Sequence, residues 1–323
     1  MGELAVPSPR WRSAGGLPLS QLNVIYRRIH ASMAFGEGWS LLKNLDTTHS
    51  LAASRVMNDG DLWNKRPIGE SQCFHFQLGP LEVYVTRYLR EWQFFYRYAE
   101  QPLTDVVSAF EDEDPPKRGD MADFEHVRIS DAHSTDDISL RLKLLPADRP
   151  VVARPSEPVY IIEKGSADWY VTTPAWIQFV REPGGAVLQT IPTWRPTDTW
   201  FGPPTGSGPL CYASRTKAYH VLEELPHHAL RIVTHTILKN SGSALNVERI
   251  VVPTPNLKVW SNENGRLWTQ SVTLERGADG QLTGARALHA PPDIAGNCTR
   301  VSDGHPQDES RINLRGLMDT LFR

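Results

Sequence analysis

Past residue 70 the chain alternates apolar and polar residues with period two, in short runs punctuated by Gly, Pro and Asn. That rhythm constrains the fold more than any other feature, because a strand sends successive side chains to opposite faces. In "CFHFQLGPLEVYVTRYLREWQFFYRYA" Phe74 and Phe76 share one face, as do Leu81, Val83 and Val85, with Gly79-Pro80 between the two runs. A third run begins near Glu91, and its density of Tyr, Phe and Trp favours a strand over the competing helix from Thr86 to Glu100. The expectation for 71–110 is therefore a β-meander.

From Ile138 the same texture resumes in "PVYIIE", "DWYVTT", "AWIQFV", "AVLQTI", "HALRIVTHTILKN" and "SGSALNVERIVVP". Further on, Asn264-Gly265 occupies the position of a tight hairpin turn. Short strands at regular spacing predict a mainly β protein, with an antiparallel β-sandwich over 138–323 rather than alternating βα units.

Three segments break the pattern. Residues 1–70 read as an N-terminal, partly helical extension, with Leu22, Ile25, Tyr26, Ile29 and Met33 at helical spacing after Ser20 as N-cap. Residues 111–137 carry ten acidic and three basic side chains, which predicts a self-repelling, solvated loop or linker. At the end, Leu314, Leu317, Met318, Leu321 and Phe322 form one apolar stripe behind Asn313, a short helix that either caps its own sheet or docks a partner.

Composition narrows the function. A chain of 323 residues with 40% apolar side chains has ample core, and a net charge of -3 lacks the basic excess of a general nucleic-acid binder. Cys73, Cys211 and Cys298 are too few and too scattered for a disulfide framework or a paired zinc site. The start "MGELAVPSPRWRSAGGLPLS" has no signal-peptide core, and no apolar run approaches a membrane span. The expected setting is the cytoplasm, with no direct membrane insertion.

The chemical motifs fail in turn. "GPPTGSGPL" has glycines 202, 206 and 208 but no following Lys, so it reads as a turn rather than a phosphate cradle. Ser207 lies outside a G-x-S-x-G elbow, although Asp198 with His220 or His235 are formal triad partners. His220, His227, His228 and His235 cluster in sequence, but His235 alternates with Arg231 and Lys239, cations that oppose a metal. Arg87, Arg90 and Arg97 among aromatic rings read as a core strand rather than a stacking platform for single-stranded nucleic acid. No catalytic set, metal site or cofactor is expected.

What remains is aromatic. Six of the ten tryptophans fall between Trp169 and Trp268, and Trp194 and Trp200 flank "RPTD". Trp194, Arg195, Asp198, Trp200 and Phe201 are the candidate ligand- or partner-binding residues, because Trp and Arg dominate binding hot spots. The competing reading is that Trp200 and Phe201 plug the end of a sandwich while the prolines stiffen a corner.

The strings "LGPLEVYVTRYLREW", "DRPVVARPSEPVYI", "TTPAWIQF", "DTWFGPPTGSGPLCYASRT" and "LKNSGSALNVERIVVPTPNL" together resemble an uncharacterised prokaryotic domain-of-unknown-function family, over about 74–323. Pro155, Trp176, Thr199 to Gly202, Gly208 and Tyr212 carry the resemblance, which implies a β-rich protein and no assigned activity. The expected function is a non-enzymatic binding or accessory module with a protein partner, regulatory or assembling with a membrane protein. The alternative is a hydrolase or carbohydrate-binding protein with a groove near Trp194–Trp200.

Overall fold

The computed structural model describes residues 62–99, 106–111, 113–116, 121–131, 137–201, 209–278 and 282–305. The expected helices near 20–33 and 313–322, with the docking stripe Leu314, Leu317, Met318, Leu321 and Phe322, lie outside the described residues. The described chain is mainly β, with no helix of seven residues or more.

Its strands open with β1 (Arg66–Pro67), β2 (Cys73–Leu78), β3 (Leu81–Tyr88), β4 (Glu91–Tyr98), β5 (Val107–Glu111), β6 (Glu125–Ser130) and β7 (Ser139–Leu145). Next come β8 (Val151–Ala153), β9 (Val159–Ile161), β10 (Ser166–Pro174), β11 (Trp176–Glu182), β12 (Ala186–Pro192), β13 (Asp198–Trp200) and β14 (Leu210–Ala213). The series ends with β15 (Arg231–Asn240), β16 (Leu245–Val247), β17 (Ile250–Val252), β18 (Val259–Asn262), β19 (Leu267–Thr269), β20 (Val272–Arg276), β21 (Leu282–Ala287) and β22 (Cys298–Ser302).

The meander forms as expected. Strands β2, β3 and β4 pair antiparallel in order, and Gly79 at φ +64° opens the two-residue turn that joins β2 to β3. A left-handed first turn residue suits glycine, which has no Cβ to clash. Phe74, Phe76, Leu78, Leu81, Val83 and Val85 are buried along one face. With β5 and β6 at the edges this makes a five-stranded sheet.

The edge strand β6 corrects one expectation, because it lies inside the acidic stretch 111–137. Val127 and Ile129 alternate there and pack against the core. The charges are answered across space: Arg128 donates two hydrogen bonds to Glu91 (3.0 and 2.6 Å), and Arg195 donates one to Glu125 (3.0 Å). Asp131 accepts from Trp92 Nε1 (3.1 Å) and pairs with Arg181 (3.1 Å), both of them side chains outside the segment. Net charge within a segment does not exclude a strand whose partners carry the opposite sign.

A second, four-stranded antiparallel sheet runs β1-β7-β11-β12. Leu140, Leu142, Ile177 and Phe179 from it share one buried cluster with the inner face of the five-stranded sheet. Phe179 meets the rings of Phe76 and Phe94 at 5.8 and 5.3 Å, edge to face. Leu62 and Ile68 join the same cluster, so the β body begins before the expected boundary at residue 70.

The third sheet is organised by β15. It pairs antiparallel with β10 over nine residues. Its other edge is shared, with β19 against Ile232 and Val233 and β20 against Thr236 to Asn240. Both of those pairings are parallel, as is that of β14 with β8. A wholly antiparallel arrangement was expected, and the difference arises because alternation assigns faces but not neighbours or directions. A second buried cluster joins Trp169, Val171, Leu238, Val272 and Leu274 of this sheet to Val152, Cys211, Val251 and Val252 of the sheet β13-β14-β8-β17. The Asn264-Gly265 hairpin forms as read, linking β18 to β19 with Gly265 at φ +73°.

Candidate functional site

The chain leaves β12 through Thr193, which is buried and ties the corner down by donating from Oγ1 to the carbonyl of Ala175 (3.0 Å). The next residue, Trp194, enters a small recess that opens to solvent. Trp176, at the start of β11, and Tyr212, on β14, bring two more rings whose centroids lie 5.4 Å apart. Val151, Pro174 and Pro196 complete the apolar lining, while Arg195, Arg215 and Arg231 supply its charge. The enclosed space is about 10 Å³, room for one water-sized group, so the feature is a slot rather than a deep cleft.

Arg231 begins β15, opposite Pro174 on β10. Its residue surface is only 3% exposed. Its Nε donates to Thr172 Oγ1 (3.2 Å), and one terminal nitrogen donates to the Thr172 carbonyl (2.9 Å) and to Thr216 Oγ1 (3.1 Å). The guanidinium lies 5.2 Å from the centre of the Trp194 ring. No carboxylate faces it among the described residues. Burial, with the Arg215 charge behind it, pushes its pKa down to about 10.

The rim carries paired charges. Tyr212 OH donates to Asp148 (3.0 Å), Arg149 donates to Asp198 (3.3 Å), and the Arg149 guanidinium lies 5.2 Å from the centre of the Tyr212 ring. Arg195 is held by Glu125 and lies 5.4 Å from the centre of the Tyr98 ring.

Of the five residues expected to form a groove, two line this recess, Trp194 and Arg195. Asp198 sits at the rim, Trp200 is 42% exposed, and Phe201 is buried in the second core beneath Arg249. The run therefore divides between recess, surface and core. Trp176, Tyr212 and Arg231 complete the site from strands distant in sequence, with Arg215 from the bend that follows β14. A strand-initial Arg is an ordinary surface residue in a one-dimensional reading, so its burial had no signal there.

The histidines part company in space. His228 meets the edge of the Trp194 ring at 6.0 Å, while His220 packs on Trp169 at 5.0 Å. Among the described residues no three His, Cys, Asp or Glu side chains converge as a metal-ligating group. His235 does link a serine and a carboxylate, with Nε2 2.9 Å from Asp168 and Nδ1 3.3 Å from Ser271 Oγ. Ser271 is 2% exposed while the Asp168 side chain faces solvent, so the serine is shielded where a nucleophile must be reached. Burial pushes the Cys73 and Cys211 thiols up to about 11, which removes thiolate at neutral pH.

No helix among the described residues is long and apolar enough to cross a membrane. Residues 62–314 match the model of a family described as "Protein of unknown function (DUF432)". No curated protein and no solved structure matches the chain.

Proposed function

The chain belongs to the DUF432 family, and we propose that it is a non-enzymatic binding module whose contact point is the recess between Trp176, Trp194 and Tyr212. One observation carries this reading: three aromatic rings from separate parts of the chain converge at a solvent-open spot. Rings grouped this way offer large contact area at low cost in side-chain entropy. In this reading the two sheets that share Phe76, Phe94 and Phe179 are a face-packed sandwich that acts as a rigid frame. The module works in the cytoplasm beside a protein partner. A carbohydrate ligand is the competing occupant, since flat rings also stack on sugars.

The test is native mass measurement of the full chain purified gently from its own cells, followed by glycan titration watched through tryptophan fluorescence. A bound species retained by Trp200→Ala and lost in Trp194→Ala supports the recess. A lone, empty chain whose fluorescence no extract fraction alters would end the proposal.

A further inference from the structure

The recess holds a cation without a counter-ion. Arg231 uses Nε and one terminal nitrogen on Thr172 and Thr216, and its other terminal nitrogen, Nη1, has no protein partner among the described residues. None of the ten residues lining the recess is acidic. Arg215 stands in the same lining, exposed and without an ion pair among the described residues. The nearby acids are engaged elsewhere: Asp148 with Tyr212, Asp198 with Arg149, and Glu125 with Arg195. An isolated buried charge is costly, and buried charges are normally paired. A guanidinium kept buried, unpaired and open on one edge is built to receive an anion from outside the chain.

We infer that the recess is an oxyanion site, in which Arg231 takes a terminal oxygen of a small-molecule carboxylate or phosphate. The inference rests on the reading of the recess as the binding point and names the chemistry of its occupant. The slot has room for one such oxygen, Arg215 adds charge at the mouth, and Trp194, Trp176 and Tyr212 contact the body that bears the anion. The free Nη1 donates to one oxygen of an oxyanion as a charge-assisted hydrogen bond, whereas a neutral sugar would leave the charge uncompensated.

The experiment uses the full chain at constant ionic strength set with chloride. Sodium benzoate, sodium phosphate and neutral benzamide are titrated separately, with tryptophan fluorescence and melting temperature as readouts. At tenfold excess over its dissociation constant, benzoate or phosphate should raise the melting temperature by about 3 °C, and benzamide should not. Which of the two acts distinguishes a carboxylate from a phosphate ligand. Arg231→Met should abolish the shift, and Arg215→Ala, a surface change that leaves the fold intact, should weaken binding by about tenfold. Arg231→Met that retains the anion response, or wild-type protein indifferent to both anions, would overturn the inference. Should Arg231→Met not fold, an unweakened response in Arg215→Ala decides against it. Benzamide binding as well as benzoate, with loss in Trp194→Ala, would refute the anion while preserving the binding module. Indifference to all three probes, together with an empty native chain, would remove both.

Discussion

Replacing Arg231 by Met, which has similar length and no charge, separates a binding arginine from a structural one. In the native state the guanidinium pKa is pushed down from its ordinary value to about 10, first by burial and then by Arg215. A group that holds its proton less tightly when folded lowers stability wherever it is charged in both states. The penalty is therefore complete at neutral pH and is relieved only as pH rises through about 10 towards the ordinary guanidinium value. Its size is ~3 kcal/mol, from ~1.4 kcal/mol for each pKa unit. Met forfeits three hydrogen bonds from a charged donor and a cation–π contact with Trp194, which together offset a similar amount, roughly 2–4 kcal/mol. The acceptors are not stranded, because the Thr172 and Thr216 hydroxyls lie 2.7 Å apart and the Thr172 carbonyl also accepts from Ser214 and Thr216. The two sides nearly cancel, so Arg231→Met should lie within ~1 kcal/mol of wild type, whereas stripping one partner from a buried ion pair costs ~3–5 kcal/mol. Urea unfolding at pH 7, compared at equal m-value, measures the difference. A loss above ~3 kcal/mol would show that the folded chain itself satisfies the guanidinium, and would refute the reasoning.

Three further outcomes are expected. Burial raises the Glu82 pKa more than any other single influence, yet the His75 imidazole 3.2 Å away and the hydrogen bond and charge of Arg97 outweigh it and hold the carboxyl down at about 2. A depressed carboxyl adds stability that is complete above its unfolded value near 4.5 and lost as pH falls towards 2. After allowance for solvent screening, Glu82→Gln should remove ~1–2 kcal/mol at pH 7 and flatten the acid limb of the stability curve, and an unchanged acid limb would contradict the network. Phe179→Ala should cost ~3–5 kcal/mol in denaturant unfolding, because its ring is fully buried against Phe76 and Phe94; a loss below ~1 kcal/mol would mean those sheets do not meet there. Asn240, 1% exposed, donates to the carbonyls of Ile161, Ile162 and Ser243 and accepts from Gly242 and Arg276, so Asn240→Leu should cost ~2–4 kcal/mol, read as a lower melting temperature.

By itself, the sequence determined which residues turn inward and where the chain turns. Phe74 and Phe76, then Leu81, Val83 and Val85, took the buried face their spacing assigns, and Gly79 and Gly265 sit at positive φ in the hairpins they mark. These are local properties: strand alternation and glycine's backbone freedom act over a few residues. Tertiary structure alone decided that β6 would form in an acidic stretch, that β15 would take two parallel neighbours along one edge, and that Arg231 would be buried. It also moved the site, keeping Trp194 and Arg195, sending Phe201 to the core and leaving Trp200 on the surface. Each of those outcomes depends on what the rest of the chain places opposite a residue: a charge to answer Glu125, an edge to extend, a second layer to cover an arginine. Alternation tells a side chain which way to face, and only packing settles what it meets there.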